Sequence, residues 1–262
     1  MIPSDKWKKV GWRYPVWELV RYYCSLRGSQ QQEWVAILVA TGQLITSDRK
    51  ILQVDKADAE LLKEYLEDRR RLLDEAFALL RTEALALQFC KTLGINPGTT
   101  QTKSQDHHQS SKALTATVAE IAIRICLQKE MQLNPDPQTR CVWCVESGIH
   151  VTARNLDGAI PALANPRIIW EVKEYWGHTK GGSKMSDALY ECNLVGRELR
   201  EFEERTKISV THVVFLDGLA QWQSRKSDLA RFIDLLNQGL VDYLFVGKEV
   251  ETNWKNLLLT LL

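Results

Sequence analysis

Two acidic side chains and a lysine in the middle of the chain are of types that can do chemistry together: Asp157, Glu171 and Lys173. Side chains two apart on a strand point to the same face, so Glu171 and Lys173 are expected to emerge side by side from the apolar segment 167–176. The turn-rich stretch 158–166 predicts a hairpin bend that returns Asp157 to them. Two carboxylates and an ammonium group arranged in this way can hold a magnesium ion and position a water molecule, which is chemistry that cleaves phosphodiesters.

The residue types fit the separate tasks of such a site. Magnesium prefers hard oxygen ligands and keeps several of its waters, so Asp157 and Glu171 leave room for water and a substrate phosphate. A bound metal lowers the pKa of its water. Lys173 stands next to two carboxylates and is expected to stay protonated. Its predicted role is therefore to stabilise the developing hydroxide, and not to act as a general base in the resting state.

An acid-x-lysine pair also fits an ordinary exposed strand, because such a face often carries charge. The neighbours of Glu171 and Lys173 argue against that reading. Charge inside an apolar strand is costly unless it is paired or bound to a metal. The large apolar residues around the pair are Ile168, Ile169, Trp170, Tyr175 and Trp176.

The composition is that of an ordinary globular protein. The chain has 262 residues, of which 45% are hydrophobic and 26% charged, enough for one large domain or two small ones. The formal net charge of +1 gives no general argument for nucleic acid, although a DNA-cleaving enzyme can concentrate lysines in one groove. We find no apolar run long enough for a bilayer and no signal-peptide pattern. These features predict a cytoplasmic protein that does not bind a membrane.

The cysteines give a similar indication about the compartment. Six of them are scattered along the chain, which is typical of reduced, buried thiols in a cytosolic protein. Cys141 and Cys144 are spaced as in a metal or redox motif, but no second ligand pair with zinc spacing accompanies them. The segment 141–147 has the pattern of a buried strand, so we predict core cysteines here.

The first part of the chain, 1–113, is predicted to be a helical N-terminal region that ends in a polar loop. Leucines recur at three- and four-residue spacings through 55–93 and predict one long helix there. The polar loop, 95–113, has side chains suited to base edges and phosphates, and a mobile linker is the alternative. The candidate DNA contacts in this loop are Lys103, Gln105, Gln109 and Lys112.

The second part, 114–262, has a regular alternation of patterns. Short turns link the first three predicted strands, which are therefore expected to be antiparallel. The result is a predicted mixed α/β fold, with a central mixed sheet flanked by helices. The predicted elements are a helix over 114–131, strands over 141–147, 149–156 and 167–176, a helix over 184–206, a strand over 210–216, a helix over 226–238 and a strand over 241–246.

This order, with an acid and an acid-x-lysine pair on its second and third strands, resembles the PD-(D/E)XK nuclease superfamily. Type II restriction endonucleases are its best-known members. Asp157 matches the first acid of the motif, and Glu171 and Lys173 match the acid-x-lysine pair. Glu120, on the preceding helix, matches the acid that many members add to the metal site. Leu156 stands where the motif has proline, a departure that many members share.

The resemblance covers roughly 114–247. It implies a restriction-endonuclease-like core and Mg²⁺-dependent hydrolysis of double-stranded DNA, with Asp157, Glu171 and Glu120 as metal ligands. It also implies a homodimer, since a two-fold protein matches a palindromic site. Repair, recombination and transposon nucleases share the core and remain open. The alternative from another class is a non-catalytic DNA-binding module whose acids are merely paired to lysines.

A glycine-rich turn, 177–184, follows the lysine strand. Glycines let backbone amides approach phosphate, and a helix N-terminus favours anions. A plain strand-to-helix turn with Ser183 as N-cap is the alternative, and the two readings are compatible. The candidate DNA contacts in this turn are Lys180, Ser183 and Lys184.

Overall fold

A computed structural model of the chain describes residues 1–2, 4–103, 107–146, 148–177 and 183–262. The fold is mixed α/β, as the sequence predicts. Gln105 and Lys180, two of the predicted DNA contacts, lie outside the described residues, as does the side chain of Ser183.

The helices begin and end at residues suited to those positions. Asp55 accepts a hydrogen bond from the Ala57 amide and caps one helix, and Thr82 caps another through the Leu85 amide. Gly94 ends a helix in the left-handed conformation. The helices are α1 (Asp5–Val10), α2 (Val16–Ser25), α3 (Gly28–Thr41), α4 (Lys56–Leu79), α5 (Glu83–Leu93), α6 (Ala113–Gln128), α7 (Ser183–Thr206), α8 (Leu219–Ser224), α9 (Lys226–Asn237) and α10 (Asn253–Leu261), with a 3-10 helix at Gly247–Glu251.

Within the described ranges, the strands form one larger sheet and three separate hairpins. They are β1 (Gln43–Ile45), β2 (Ile51–Gln53), β3 (Thr99–Lys103), β4 (Gln109–Ser111), β5 (Asn134–Thr139), β6 (Val142–Val145), β7 (Gly148–Val151), β8 (Leu156–Ile160), β9 (Ile168–Glu174), β10 (Thr211–Asp217) and β11 (Tyr243–Val246). The five-stranded sheet has the order β11-β10-β9-β8-β5. β9 runs parallel to β10 and antiparallel to β8, so the sheet is mixed. The hairpins are β1–β2, β3–β4 and β6–β7.

Both faces of the sheet are covered by apolar packing. Val213 and Phe215 of β10 pack on one face with Trp254 of α10 and with apolar side chains of α6. Val214 and Leu216 point to the opposite face, where they join side chains of α7 and α9. This alternation follows from the two-residue period of a strand. The sheet is therefore held between two helical layers, which fixes the positions of the polar groups on its strands.

The prediction of one continuous helix over 55–93 is wrong, because the segment forms two helices. The two helices α4 and α5 are separated at Arg81, whose side chain is 1% exposed. Its guanidinium donates to Asp217 at 2.7 Å and to Glu251 at 2.8 Å, and its backbone amide donates to Asp217 at 2.8 Å. This buried ion pair with the end of β10 requires a break that the leucine spacing does not reveal.

The strand predicted over 149–156 is also divided. β7 ends at Val151 and pairs with β6 in a separate hairpin, while β8 begins at Leu156 and enters the central sheet. The buried hydroxyl of Thr152 explains the division, because it donates to the Arg154 carbonyl and accepts from the Cys141 amide. The antiparallel pairing of the strand that carries the acid with the lysine strand is confirmed.

The helical N-terminal part has an apolar cluster of its own and also contacts the sheet layers. Trp7, Trp17 and Tyr65 pack edge to face with ring centroids 5.0–6.2 Å apart. Arg69 of α4 is ion-paired with Asp234 of α9 at 2.6 Å. All six cysteines are free; Cys141 is buried as predicted, but Cys144 is exposed, so the prediction of a core cysteine is wrong there. Among the described residues, we find no helix with the length and apolar character required to traverse a bilayer.

Candidate active site

Asp157, Glu171 and Lys173 lie at adjoining positions of β8 and β9. Gly158 pairs with Trp170 across these antiparallel strands, so the two carboxylates leave the sheet from neighbouring positions. The Val172 amide donates to Asp157 Oδ2 at 2.7 Å, which ties the first acid to the strand of the acid-x-lysine pair. The predicted convergence of the three side chains is therefore present.

Asp157 is oriented by two donors. Gln138 Nε2 donates to its Oδ1 at 2.7 Å, and the Val172 amide donates to its Oδ2. Burial raises the pKa of Asp157, although the Val172 hydrogen bond and the charge of Lys173 act in the opposite direction. Each carboxylate oxygen accepts more than one hydrogen bond or metal bond, so these contacts fix the group without exhausting it.

Glu171 is held more deeply, with its side chain 2% exposed. Its Oε2 lies 2.9 Å from Lys173 Nζ, and its Oε1 lies 3.1 Å from His212 Nε2. Burial would raise the pKa of Glu171, but the Lys173 charge and the His212 hydrogen bond outweigh it and lower the pKa to about 2. Glu171 is therefore an ionised oxygen donor at neutral pH.

His212 is fully buried on β10 and has acceptors at both ring nitrogens. Its Nδ1 lies 3.0 Å from the Leu240 carbonyl oxygen, and its Nε2 faces Glu171. His212 was not among the residues predicted for the site.

Lys173 lies between two carboxylates. Its Nζ is 2.9 Å from Glu171 Oε2 and 3.3 Å from Oε2 of Glu191, a residue of α7. Burial opposes the charge of Lys173, but the Glu171 carboxylate raises its pKa well above the usual value. The lysine is thus a fixed cation, as the sequence predicts. The other Glu191 oxygen forms an ion pair with Arg154.

The edge strand β5 carries an unusual backbone beside the site. Asp136 has φ 53° and Gln138 has φ 49°, both in the left-handed region, and the pairing with β8 is irregular there. Gln138 Nε2 donates both to Asp136 at 2.6 Å and to Asp157 at 2.7 Å. A bulged strand re-aims its side chains, and backbone in this region persists only when its surroundings hold it. The irregular backbone of β5 therefore positions the Gln138 side-chain amide that orients Asp157.

A polar cavity of about 440 Å³ opens beside Asp157 and Lys173. Three of its lining residues are cations, Arg140, Arg154 and Lys173, and two are carboxylates, Asp157 and Glu191. The cavity is therefore an opening of net positive charge next to the predicted catalytic groups. The remaining lining residues are Gln138, Ala153, Asn155, Val172 and Tyr175.

Glu120 does not join Asp157 and Glu171 in a common cluster. It is ion-paired with Arg124 at 2.7 Å, one turn along α6, and Arg124 in turn donates to the Leu93 carbonyl. Within the described ranges, no group of three or more acidic, histidine or cysteine side chains is arranged to hold a metal. The described residues therefore give no support to the predicted three-carboxylate ligand set, because Glu120 is ion-paired with Arg124 on its own helix.

A different acid connects α6 with the lysine strand. Glu174 leaves β9 on the face opposite Lys173 and accepts from the Leu114 amide at 2.8 Å and from Thr115 Oγ1 at 2.7 Å. Trp176 Nε1 donates to it at 3.1 Å. Burial raises the pKa of Glu174 to about 7 in spite of these hydrogen bonds. Glu174 thus caps the start of α6 from another element, a role that the sequence analysis missed.

Two carboxylates are of the chemical type that can hold a hard divalent cation. Magnesium in proteins is commonly held by one or two carboxylates together with water and substrate oxygens. Asp157 borders the polar cavity, and Glu171 is ionised behind it. A cation held by both would share Glu171 with Lys173, whose ammonium already compensates one negative charge.

The polar stretch predicted as a loop, 95–113, instead contains the hairpin β3–β4. Gln109 donates to the Thr100 carbonyl across this hairpin, so its amide supports the hairpin itself. Lys103 is exposed at the end of β3. Lys112 lies 3.7 Å from Asp136, the neighbour of Gln138, and so brings the base of the hairpin to the edge of the site.

Two other predicted DNA contacts, Ser183 and Lys184, lie at the start of α7. Ser183 is the first residue of this helix and Lys184 is exposed beside it. Because α7 also carries Glu191, the predicted turn and the site are connected by one helix.

Some site residues had a recognisable signal in the sequence and others had none. His212 interrupts an otherwise apolar strand, which is a signal of a buried polar contact. Gln138 lies in a proline-rich stretch that reads as a turn. Glu191 is one of many acids on a charged helix, and its spacing does not distinguish it.

These features define a mixed α/β protein with a carboxylate–lysine site on its central sheet. The chain belongs to a family described as "Domain of unknown function (DUF7687)", which matches residues 67–261. The matched range includes the whole central sheet. No curated protein and no solved structure matches the chain.

Proposed function

We propose that the protein is a Mg²⁺-dependent endonuclease that hydrolyses DNA phosphodiesters, with a core of the PD-(D/E)XK type. The observation that carries the proposal is the convergence of Asp157, Glu171 and Lys173 beside a polar cavity. The element order supports it, because α6 is followed by the antiparallel strands β5, β8 and β9, then by α7 and the parallel strand β10. The form that we favour is a homodimeric, sequence-specific restriction endonuclease; repair, recombination and transposon nucleases of the same fold are the alternatives.

Each residue of the site has a separate role in this proposal. Asp157 and Glu171 would hold the metal, which when bound would supply water activation and charge neutralisation at the phosphate. Lys173 stays protonated and stabilises the negative charge that develops on the attacking oxygen. Gln138 and His212 orient the two carboxylates, as outer hydrogen-bond partners of metal ligands commonly do.

A second candidate function rests on one specific observation. Both oxygens of Glu171 already have partners, Lys173 and His212, and both oxygens of Asp157 have donors. Such a self-satisfied network is stable without a metal, as expected for a non-catalytic DNA-binding module. The two functions differ in whether DNA is cut.

The deciding experiment incubates the purified protein with plasmid and phage DNA, with Mg²⁺ and with a chelator. Asp157→Asn keeps the size of the side chain but removes its charge, and Asp187→Asn is the matched control on an exposed face of α7. The nuclease proposal requires that the wild type and Asp187→Asn cut DNA in the presence of Mg²⁺. It also requires that Asp157→Asn does not cut. DNA binding without cutting by the wild type would favour the module. Sequencing the ends distinguishes a restriction enzyme from a nuclease that chooses DNA by structure.

A further inference from the structure

Glu191 bridges two cations at the wall of the polar cavity. One of its oxygens lies 3.3 Å from Lys173 Nζ, and the other forms an ion pair with the Arg154 guanidinium. The exposed fraction is 28% for the Glu191 side chain and 51% for Arg154. A carboxylate between a guanidinium and an ammonium occupies the position that these groups offer to any oxyanion.

A third cation lies in the same wall, and its charge acts on the Glu198 carboxylate of α7. Arg140 lines the cavity next to Asp157 and, in the part of the chain that the structure describes, makes no hydrogen bond or ion pair. Guanidinium groups match the geometry of phosphate oxygens and bind them through paired N–H donors. The cavity is therefore lined by more cationic side chains than carboxylates, which leaves hydrogen-bond donors for a bound anion.

We propose that Arg140, Arg154 and Lys173 form a binding site for a backbone phosphate of DNA, and that Glu191 occupies this anion position in the free protein. DNA binding displaces the Glu191 carboxylate and puts a phosphate oxygen between Arg154 and Lys173. The Arg154–Glu191 pair is exposed and therefore weak. The Lys173 side chain is only 11% exposed, but it keeps its contact with Glu171 when Glu191 leaves. The inference rests on the proposed function for its choice of DNA as the ligand, but it concerns binding and not cleavage.

The proposal makes opposite predictions for charges in the same cavity. Glu191→Gln removes the internal competitor and should make DNA binding roughly threefold tighter, which is the effect of losing one exposed ion pair. Arg140→Ala or Arg154→Ala removes a charge-assisted phosphate contact and should weaken binding roughly tenfold. A purely structural Arg154–Glu191 pair would give the same direction of change for both of its members.

The test measures fluorescence anisotropy of a labelled DNA duplex in the presence of chelator, over a series of KCl concentrations. The slope of log affinity against log salt is negative, and each arginine variant should reduce its magnitude by about 0.9. Arg154→Lys retains the charge and should keep the slope while losing part of the affinity. Arg70→Ala and Glu67→Gln, two exposed positions of α4, are the matched controls and should bind as the wild type does. Circular-dichroism melting curves establish that each variant is folded.

The results separate this proposal from the proposed function. Binding with the expected pattern of changes, but without cutting in Mg²⁺, supports the phosphate site and rejects the nuclease. Cutting in which Arg140→Ala and Arg154→Ala bind as tightly as wild type overturns the phosphate site and leaves the nuclease standing. No binding of DNA by the wild type, or weaker binding by folded Glu191→Gln, also overturns the phosphate site.

Discussion

His212 Nε2 lies 3.1 Å from Glu171 Oε1, and the two side chains are 0% and 2% exposed. The pair joins β10 to β9 beneath the candidate site. Since water does not reach either group, the orientation of Glu171 is set by the protein alone. The acid of the acid-x-lysine pair is thus fixed before any ligand binds.

Loss of the histidine should destabilise the fold. His212→Leu leaves the buried Glu171 carboxylate with Lys173 as its remaining strong partner and removes the hydrogen bond to Leu240. Leaving a buried polar group without its hydrogen-bond partner costs about 1–3 kcal/mol, and urea denaturation followed by circular dichroism measures it. His108→Leu is the control, because His108 forms an exposed pair with Glu83 and should change stability by no more than about 0.5 kcal/mol. Equal midpoints for the two variants would contradict the buried pairing.

The acid side of the stability profile should contain the titration of Glu171. Its pKa is lowered to about 2 in the folded protein from an ordinary 4.5. The stabilisation is therefore complete above pH 4.5 and is lost as the pH falls from 4.5 to about 2. Its full size is about 3 kcal/mol. Urea denaturation at a series of pH values should show this loss in the wild type and its absence in Glu171→Gln. Parallel profiles would show that the carboxylate is not stabilised by Lys173 and His212.

Glu174 should produce the opposite trend in a different pH range. Its pKa is raised to about 7 from 4.5, so the stability it contributes is complete below pH 4.5 and is lost as the pH rises through about 7. The loss is up to about 3 kcal/mol. Glu174→Gln keeps an acceptor for the start of α6 and should flatten the profile between these values. Glu130→Gln, at an exposed position just beyond the end of α6, is the control. A wild-type profile that is flat from pH 4.5 to 8 would be incompatible with the burial of Glu174.

The sequence was sufficient to identify Asp157, Glu171 and Lys173 as neighbours because local geometry places them. The two-residue period of a strand puts Glu171 beside Lys173, and antiparallel pairing of β8 with β9 returns Asp157 to them. Most of the helices and strands after residue 114 were also predictable from apolar spacing. These are all consequences of interactions between residues near one another in the chain.

The missed features depend on contacts between distant parts of the chain. His212 reaches Glu171 because β10 happens to lie next to β9, and Glu191 reaches Lys173 because α7 crosses that face. Arg81 breaks a leucine-rich helix through its bond to Asp217, 136 positions later in the chain. Periodicity records which face of an element is buried, but it does not record which element covers that face.

Gly158 should tolerate no side chain. A Cβ added there would lie 1.8 Å from the ring of Trp170, a buried residue of the adjacent strand β9. Gly158→Ala therefore forces Trp170 out of its position and should destabilise the protein by about 2 kcal/mol or more. Gly28→Ala is the matched control, since nothing lies within 4 Å of the Cβ it would add. Equal melting temperatures for the two variants would mean that β8 and Trp170 are not packed as described.

Lys173 provides the most direct test of catalysis by the site. Lys173→Ala removes the cation that would stabilise the attacking oxygen, so Mg²⁺-dependent cleavage should fall by orders of magnitude, with each factor of ten equal to about 1.4 kcal/mol of barrier. Lys173→Arg keeps the charge but spreads it over a planar group and should not restore the full rate. Lys63→Ala, at an exposed position of α4, is the control. The readout is initial rate on plasmid DNA, with anisotropy to measure binding and circular dichroism to confirm folding. If Lys173→Ala is folded and cuts at the wild-type rate, the lysine serves only as the ion-pair partner of Glu171 and Glu191.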